Sequence, residues 1–336
     1  MKELGKFIFI LFLILLFGPI GIGQVSSDLQ KPCMPCEELK HLILPDVAIT
    51  ATSQLENPVH HCKVAGTIGK EIGFELLLPM DWNTRFVMGG GGGFVGSIHN
   101  WAASSLNNGY ATVGTDAGHK GNGYKGEWAL NNAEAQLNFG HLAVHRTAVV
   151  SKEIIRQFYC SSPSYNYFFG CSRGGGQGMM EAQRYPNDFN GIVAGAPAFN
   201  WTAWGAELVQ NTKAIYPDHA NLKEPVITLA NMELLQKIIL EQCDGIDKLE
   251  DQILNDPREC EIDLDLLPKC PNNTAKDDCF TPQQIEAIKT VYAGVTLGET
   301  EIYPGFPFGG ENEERGWRDW TVGPSNTGMQ FNFPSK

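Results

Sequence analysis

Positive charge is scarce in this sequence. Its 336 residues carry 25 Lys and Arg against 38 Asp and Glu, a formal net charge of −13. No basic stripe exists to neutralise phosphates, which excludes nucleic acid as a partner. Phosphate and dinucleotide loops are missing too. The five glycines Gly89 to Gly93 have neither the G-x-G-x-x-G spacing nor a Gly-Lys-Ser/Thr ending. A second long apolar run is also lacking. The run from Phe7 to Ile22 follows a basic start and ends in Gly21 and Gly23, so residues 1–23 read as a secretory signal peptide cut after Gly23. That run is short for a membrane span, and nothing of spanning length follows it. The expectation is a secreted or periplasmic protein with no membrane contact after cleavage. Internal repeats and low-complexity tracts are absent. Hydrophobic content of 43% and charged content of 19% fit a globular chain with ample core.

Histidine is sparse, and no His-Glu-x-x-His pattern surrounds His141 and His145, which read as packing or surface residues rather than a metal pair. His119, at the end of a strand, reads as structural. Cysteine is not scarce. Nine cysteines in an exported chain imply disulfides. Cys33-x-x-Cys36 has no second such pair and holds Pro35 between its cysteines, so structural bonding is expected there rather than zinc or redox chemistry. Nine is odd, so at least one thiol lacks a partner.

The strongest pattern is Tyr165-Asn-Tyr-Phe-Phe-Gly-Cys-Ser-Arg-Gly-Gly-Gly176. An aromatic run that reads as a buried strand (Tyr165 to Phe169) meets glycines and then a helical pattern from Gln177 to Tyr185. Ser172 lies at the junction within Gly170-x-Ser172-x-Gly174, the nucleophile-elbow pattern, where a sharp strand-to-helix turn lifts the hydroxyl clear of the backbone. The helix start then points free N–H groups at an oxyanion forming beside Ser172. Upstream, Asp46 to Thr52 and Phe74 to Pro79 read as strands of an antiparallel opening. Arg85 to Met88 and Tyr110 to Thr115 are further strands, a long helix carries Val144, Ala148, Ile155 and Phe158 on one face, and Gly191 to Pro197 reads as another buried strand. Strands alternating with helices imply a mostly parallel sheet with its site at the strands' carboxyl ends. The glycine loop after the strand at 85–88 suits a second oxyanion donor, a backbone N–H from among Gly91, Gly92 and Gly93. Past Pro197 strand signals thin out, and four cysteines crowd into residues 243–279, as in an insertion. There, Asp244, Asp247 and Asp251 offer hard oxygens of the kind calcium prefers. The spacing is not that of an EF-hand, and on pattern alone an acidic surface loop reads as well.

Taken together, Thr115-Asp-x-Gly-His119, Gly170-Cys-Ser-x-Gly-Gly175, Tyr185-Pro-x-Asp-Phe189, Gly195-Ala-Pro-Ala198, the Cys-Asp-x-x-Asp loop from Cys243, and Pro304 to Glu311 with Trp317 and Trp320 resemble the tannase/feruloyl esterase family. The resemblance runs from about residue 70 onwards. It implies an α/β-hydrolase fold with a large inserted lid: a core over residues 24–200 and a lid over 201–336. It also implies hydrolysis of small aromatic or phenolic acid esters. Ser172 matches the nucleophile, with the N–H of Arg173 and one of Gly92 or Gly93 as oxyanion donors. Asp244, Asp247 and Asp251, with the carbonyls of Leu249 and Ile253, match ligands of a structural calcium. Cys243–Cys260 and Cys270–Cys279 match lid disulfides, Cys36 is assigned to Cys62, and Cys171 matches a cysteine bonded to one after the catalytic histidine. The partners of Cys33 and Cys160 stay open. This sequence departs from the family pattern at Lys248 and Gln252, where the calcium loop has glycines, and at Gly176, where arginine is common. The family's catalytic Asp and His-Cys lie further downstream, and His219 is the one histidine after Ser172 and matches no catalytic motif. The resemblance therefore implies a member that ends within its lid, core incomplete and inactive by itself. The alternative expectation is a secreted, calcium-stabilised binding module without turnover.

Overall fold

The computed structural model describes residues 29–218, 222–314 and 316–322. The signal-peptide stretch and His219 lie outside them. Seven strands form one sheet in the order β1-β2-β3-β5-β4-β6-β7. β1 (Val47–Leu55), β2 (His61–Ile68) and β3 (Ile72–Pro79) pair antiparallel, and β3 continues antiparallel onto β5 (Ala111–Thr115). From there the pairing is parallel, through β4 (Arg85–Gly89), β6 (Tyr165–Cys171) and β7 (Gly191–Gly195). The expected antiparallel opening and parallel continuation are both present.

Burial follows the side-chain period of two. In β2, Cys62, Val64 and Ile68 face the core while Lys63, Ala65 and Thr67 are half-buried between them. β5, flanked on both edges, is buried at every position. β7 departs from its expected burial: Val193 is 55% exposed. The reason is position, because β7 ends the sheet and pairs with β6 alone among the described residues.

The helices carry their own start signals. After α1 (Ala133–Leu137) and a widened turn at Asn138–Leu142, α2 (Ala143–Tyr159) buries Val144, Ala148, Ile154, Ile155 and Phe158 against the sheet. Cys160 ends it in a left-handed conformation and bonds Cys33. α3 spans Arg173–Arg184 and α4 spans Trp201–Ile215. α5 (Leu229–Cys243) and α6 (Pro282–Ala293) each open on a reciprocal capping box, Thr228 with Asn231 and Thr281 with Gln284. A small hairpin, β8 (Val295–Leu297) with β9 (Thr300–Tyr303), and the short α7 (Trp317–Trp320) follow.

Two hydrophobic cores result. One runs from Cys36 to Phe189 and joins the sheet to α2. The other runs from Ile215 to Val322 and joins α5, α6 and α7. Four disulfides fasten them: Cys33–Cys160 and Cys36–Cys62 in the first, Cys243–Cys260 and Cys270–Cys279 in the second. Cys171 is a free thiol. His119 is buried under Trp128, its ring stacked at 3.7 Å and its Nε2 2.7 Å from the Phe94 carbonyl oxygen. No helix of the described residues is long and apolar enough to cross a membrane.

Candidate active site

Ser172 stands where β6 hands over to α3, with φ 54° and ψ −123°. That backbone is strained for a residue with a side chain, and it persists because neighbouring groups hold it from both sides. The Ser172 N–H donates to the Gly195 carbonyl oxygen at 3.0 Å, and the Ser172 carbonyl accepts from the N–H groups of Gly176 and Ala198. The sequence reading starts the helix at Gln177, but α3 begins at Arg173, so Gly174, Gly175 and Gly176 are helical. Packing overrides their poor helix propensity: a Cβ at Gly175 would meet the Gly195 carbonyl, with Pro197 Cα 2.9 Å away.

The glycine loop after β4 lies against this turn. Gly90 donates to the Phe169 carbonyl at 2.9 Å. The Gly91 N–H goes to Gln177 Oε1 at 3.2 Å, and the Gly92 N–H to His99 Nδ1 at 3.3 Å. Gly93, at φ +56°, lines the same cavity as Ser172, and a Cβ there would lie 2.5 Å from the Gly123 carbonyl oxygen. Of the two candidate donors, Gly92 is therefore committed elsewhere and Gly93 faces the cavity.

That cavity is about 710 Å³ in volume. Ser172 and Arg173 line it, together with Trp201 and Trp204 of α4 and with Tyr303, Phe306, Trp317 and Trp320. The size and apolar lining suit a small aromatic ligand. Trp317 and Trp320 are legible in the sequence, whereas Trp201, Trp204 and Tyr303 join the site only in the fold. The signal available was Trp201-x-x-Trp204, two large rings one helical turn apart just after a strand end.

Arg173 is the one charged residue lining the cavity among the described residues. It is 4% exposed, and burial lowers its pKa to about 10. Its guanidinium lies 4.3 Å from the Phe139 ring centroid and 5.8 Å from that of Trp201, and its Nη2 donates to the Phe139 carbonyl. No histidine among the described residues hydrogen-bonds the Ser172 hydroxyl. His141 instead contacts the Tyr185 hydroxyl at 2.7 Å and His145 contacts Asp188 Oδ2 at 2.6 Å.

The acidic loop lies far along the chain, on the surface between Cys243 and Cys260 of the second core. Asp244 Oδ1 accepts the Gln252 N–H at 2.8 Å, Asp247 Oδ1 the Leu249 N–H at 2.8 Å, and Asp251 Oδ1 the Ile253 N–H at 3.1 Å. Lys248 and Gln252 take φ values of 74° and 67°, so the two turns that favour glycine are made without it. Among the described residues these three carboxylates are not gathered into one cluster of ligand atoms; the group so gathered is His145, Glu181 and Asp188.

A sequence model of the family "Tannase and feruloyl esterase" matches residues 57–335. Mono(2-hydroxyethyl) terephthalate hydrolase of Piscinibacter sakaiensis is 31% identical over 329 residues, covering 83% of this chain and 54% of that protein. Feruloyl esterase B of Aspergillus niger is 32% identical over 279 residues, covering 79% of this chain and 51% of that one. The chain thus spans about half the length of the curated relatives it matches. The crystal structure of feruloyl esterase B from Aspergillus oryzae superposes with a TM-score of 0.72 at 29% identity, over 86% of this chain and 62% of that one. A tannin acyl hydrolase from Aspergillus niger shares the fold, with a TM-score of 0.62 at 21% identity over 82% of this chain and 57% of that one.

Proposed function

The chain belongs to the tannase and feruloyl esterase family, and from that premise we propose that the protein is an exported serine carboxylesterase acting on esters of aromatic or phenolic acids. The observation that carries this reading is Ser172 held at φ 54° in the lining of a cavity rich in aromatic residues. The Ser172 hydroxyl attacks the ester carbonyl, and an acyl-enzyme forms as the alcohol leaves. The N–H groups of Arg173 and Gly93 hold the oxyanion. The base is a histidine oriented by an aspartate, both assigned to residues outside those described. Trp201 and Trp204 clasp the aromatic acid, and the segment from Tyr303 to Trp320 closes over it as a lid. Asp244, Asp247 and Asp251, with the carbonyls of Leu249 and Ile253, would hold a calcium ion that braces this lid and takes no part in the chemistry.

The test is Ser172→Ala in the full-length protein, assayed on methyl ferulate and methyl gallate. Hydrolysis should fall by orders of magnitude, since nucleophile knockouts in serine hydrolases cost about 10⁶-fold, while circular dichroism stays unchanged. Turnover near the wild-type rate would remove Ser172 from the mechanism.

A further inference from the structure

A buried carboxylate is normally hydrogen-bonded or paired with a cation, because desolvating it alone is costly. Glu181 is neither. It is 1% exposed, and neither of its side-chain oxygens has a hydrogen-bond partner. It belongs to a group that three parts of the fold bring together. α2 supplies His145 and, two turns on, Lys152; α3 supplies Glu181; the turn before β7 supplies Asp188. One donor atom each of His145, Glu181 and Asp188 lies within 4.8 Å of the others. His145 Nδ1 stands 2.6 Å from Asp188 Oδ2, while Lys152 Nζ holds the other oxygen, Oδ1, at 3.2 Å. The His145 ring is fixed by stacking on Tyr185, with centroids 3.8 Å apart, and the Tyr185 hydroxyl lies 2.7 Å from His141 Nδ1.

We propose that His145, Glu181 and Asp188 bind one zinc ion, which ties the helix that starts beside Ser172 to α2 and to the turn before β7. An imidazole nitrogen with two carboxylate oxygens is a zinc donor set. Calcium takes about six to eight oxygens and magnesium keeps several waters, so neither suits three mixed donors. Donors sharing a zinc ion lie about 2.0–2.2 Å from it, hence about 3.3–3.6 Å from each other in a tetrahedral site. Side-chain rotations bring atoms within 4.8 Å to that spacing, and the hydrogen bond between His145 and Asp188 gives way to two bonds to the metal. His145 then carries its proton on Nε2, and zinc displaces any proton that Glu181 holds, because metal ligands bind deprotonated. Lys152 neutralises Asp188 from the Oδ1 side, which leaves the Glu181 charge for the ion. Lys152 on the carboxylate and Tyr185 on the imidazole are outer contacts of the kind that orient metal ligands. The His145 side chain is 29% exposed and gives the ion a path in from solvent. None of the three ligands lines the cavity at Ser172, so the proposal is independent of the esterase reading.

The experiment strips the full chain of metal, returns it to buffer containing calcium, and titrates zinc chloride into it by isothermal calorimetry, with thermal melts alongside. One zinc ion should bind at this site and raise the melting temperature, and magnesium in place of zinc should do neither. Glu181→Gln keeps the shape of the side chain and removes its charge. It should weaken zinc binding by more than the about 10- to 100-fold that loss of an outer partner costs. Should that variant fail to fold, Asp188→Asn makes the same comparison. His141→Gln should keep an affinity close to that of the wild-type chain, because His141 serves Tyr185 and is not a ligand. No zinc binding by the wild-type chain, or an equal rise in melting temperature with magnesium, would overturn the proposal. Binding that survives Glu181→Gln would overturn it too, and its loss in His141→Gln would then assign the ion to the histidine pair on α2.

Discussion

At Gly175 even a methyl group would collide with the end of β7, whose Gly195 carbonyl also receives the Ser172 N–H. Gly175→Ala should therefore destabilise the protein by about 1–3 kcal/mol, the usual cost of overpacking, and shift the serine as α3 moves away. A thermal melt checks this, and an unchanged midpoint would contradict it. The serine itself was legible in the sequence, because glycines at 170 and 174 bracket it in a local pattern. The start of α3 was not. Glycine costs a helix about 1 kcal/mol relative to alanine, so three in a row read as a turn. What makes them helical is contact with Gly90, Gly195 and Ala198, residues distant in the sequence. The burial of Arg173 was hidden in the same way, since Phe139 and Trp201 reach it from either side of the elbow.

Between elements, the most consequential packing is where α2, α3 and the turn before β7 meet. Glu181 of α3 is 1% exposed there, and neither carboxylate oxygen has a hydrogen-bond partner. Its neighbours His145, Asp188 and Lys152 bond among themselves, Lys152 Nζ lying 3.2 Å from Asp188 Oδ1. Burial first, then the Asp188 charge, raises the Glu181 pKa from its ordinary 4.5 to about 8, against the opposing pull of Lys152. The folded protein thus favours the neutral acid. That contribution to stability is complete below about pH 4.5 and is lost as pH rises through about 8. The melting temperature should fall between pH 6 and 9, and Glu181→Gln should flatten the fall; an identical profile in the variant would remove Glu181 as its source. The acidic loop gives a second test at this scale. A chelator should lower the melting temperature, and at a calcium concentration 100 times Kd the ion is worth about 2.7 kcal/mol. In Asp247→Ala that response should disappear, whereas a wild-type melt indifferent to chelator would leave an acidic surface turn. Among the strands, β1, β3, β4, β5, β6 and β7 were each anticipated. β2 was not, because Lys63 and Gly66 interrupt its apolar alternation and only pairing with β1 and β3 on both sides completes it.

For the molecule as a whole, the sequence marked a change of character after Pro197, and the two hydrophobic cores separate between Phe189 and Ile215. The cavity draws its walls from both sides of that division, which is why local patterns revealed the serine but not its enclosure. Rings more than a hundred positions apart, Trp201 and Trp317, line one space only once both units have folded. The Cys33–Cys160 bond has a consequence of another kind. It closes a covalent ring around β1 to α2, and the exposed Lys125 lies on that ring in the turn segment before α1. Trypsin cutting after Lys125 would therefore leave one molecule rather than two. The nicked protein should run as a single band without reductant and split into two fragments with it, and separation without reductant would show that the ring is open. Folding intact around a severed backbone, the first core would keep its sheet after an injury that would divide an unbridged chain.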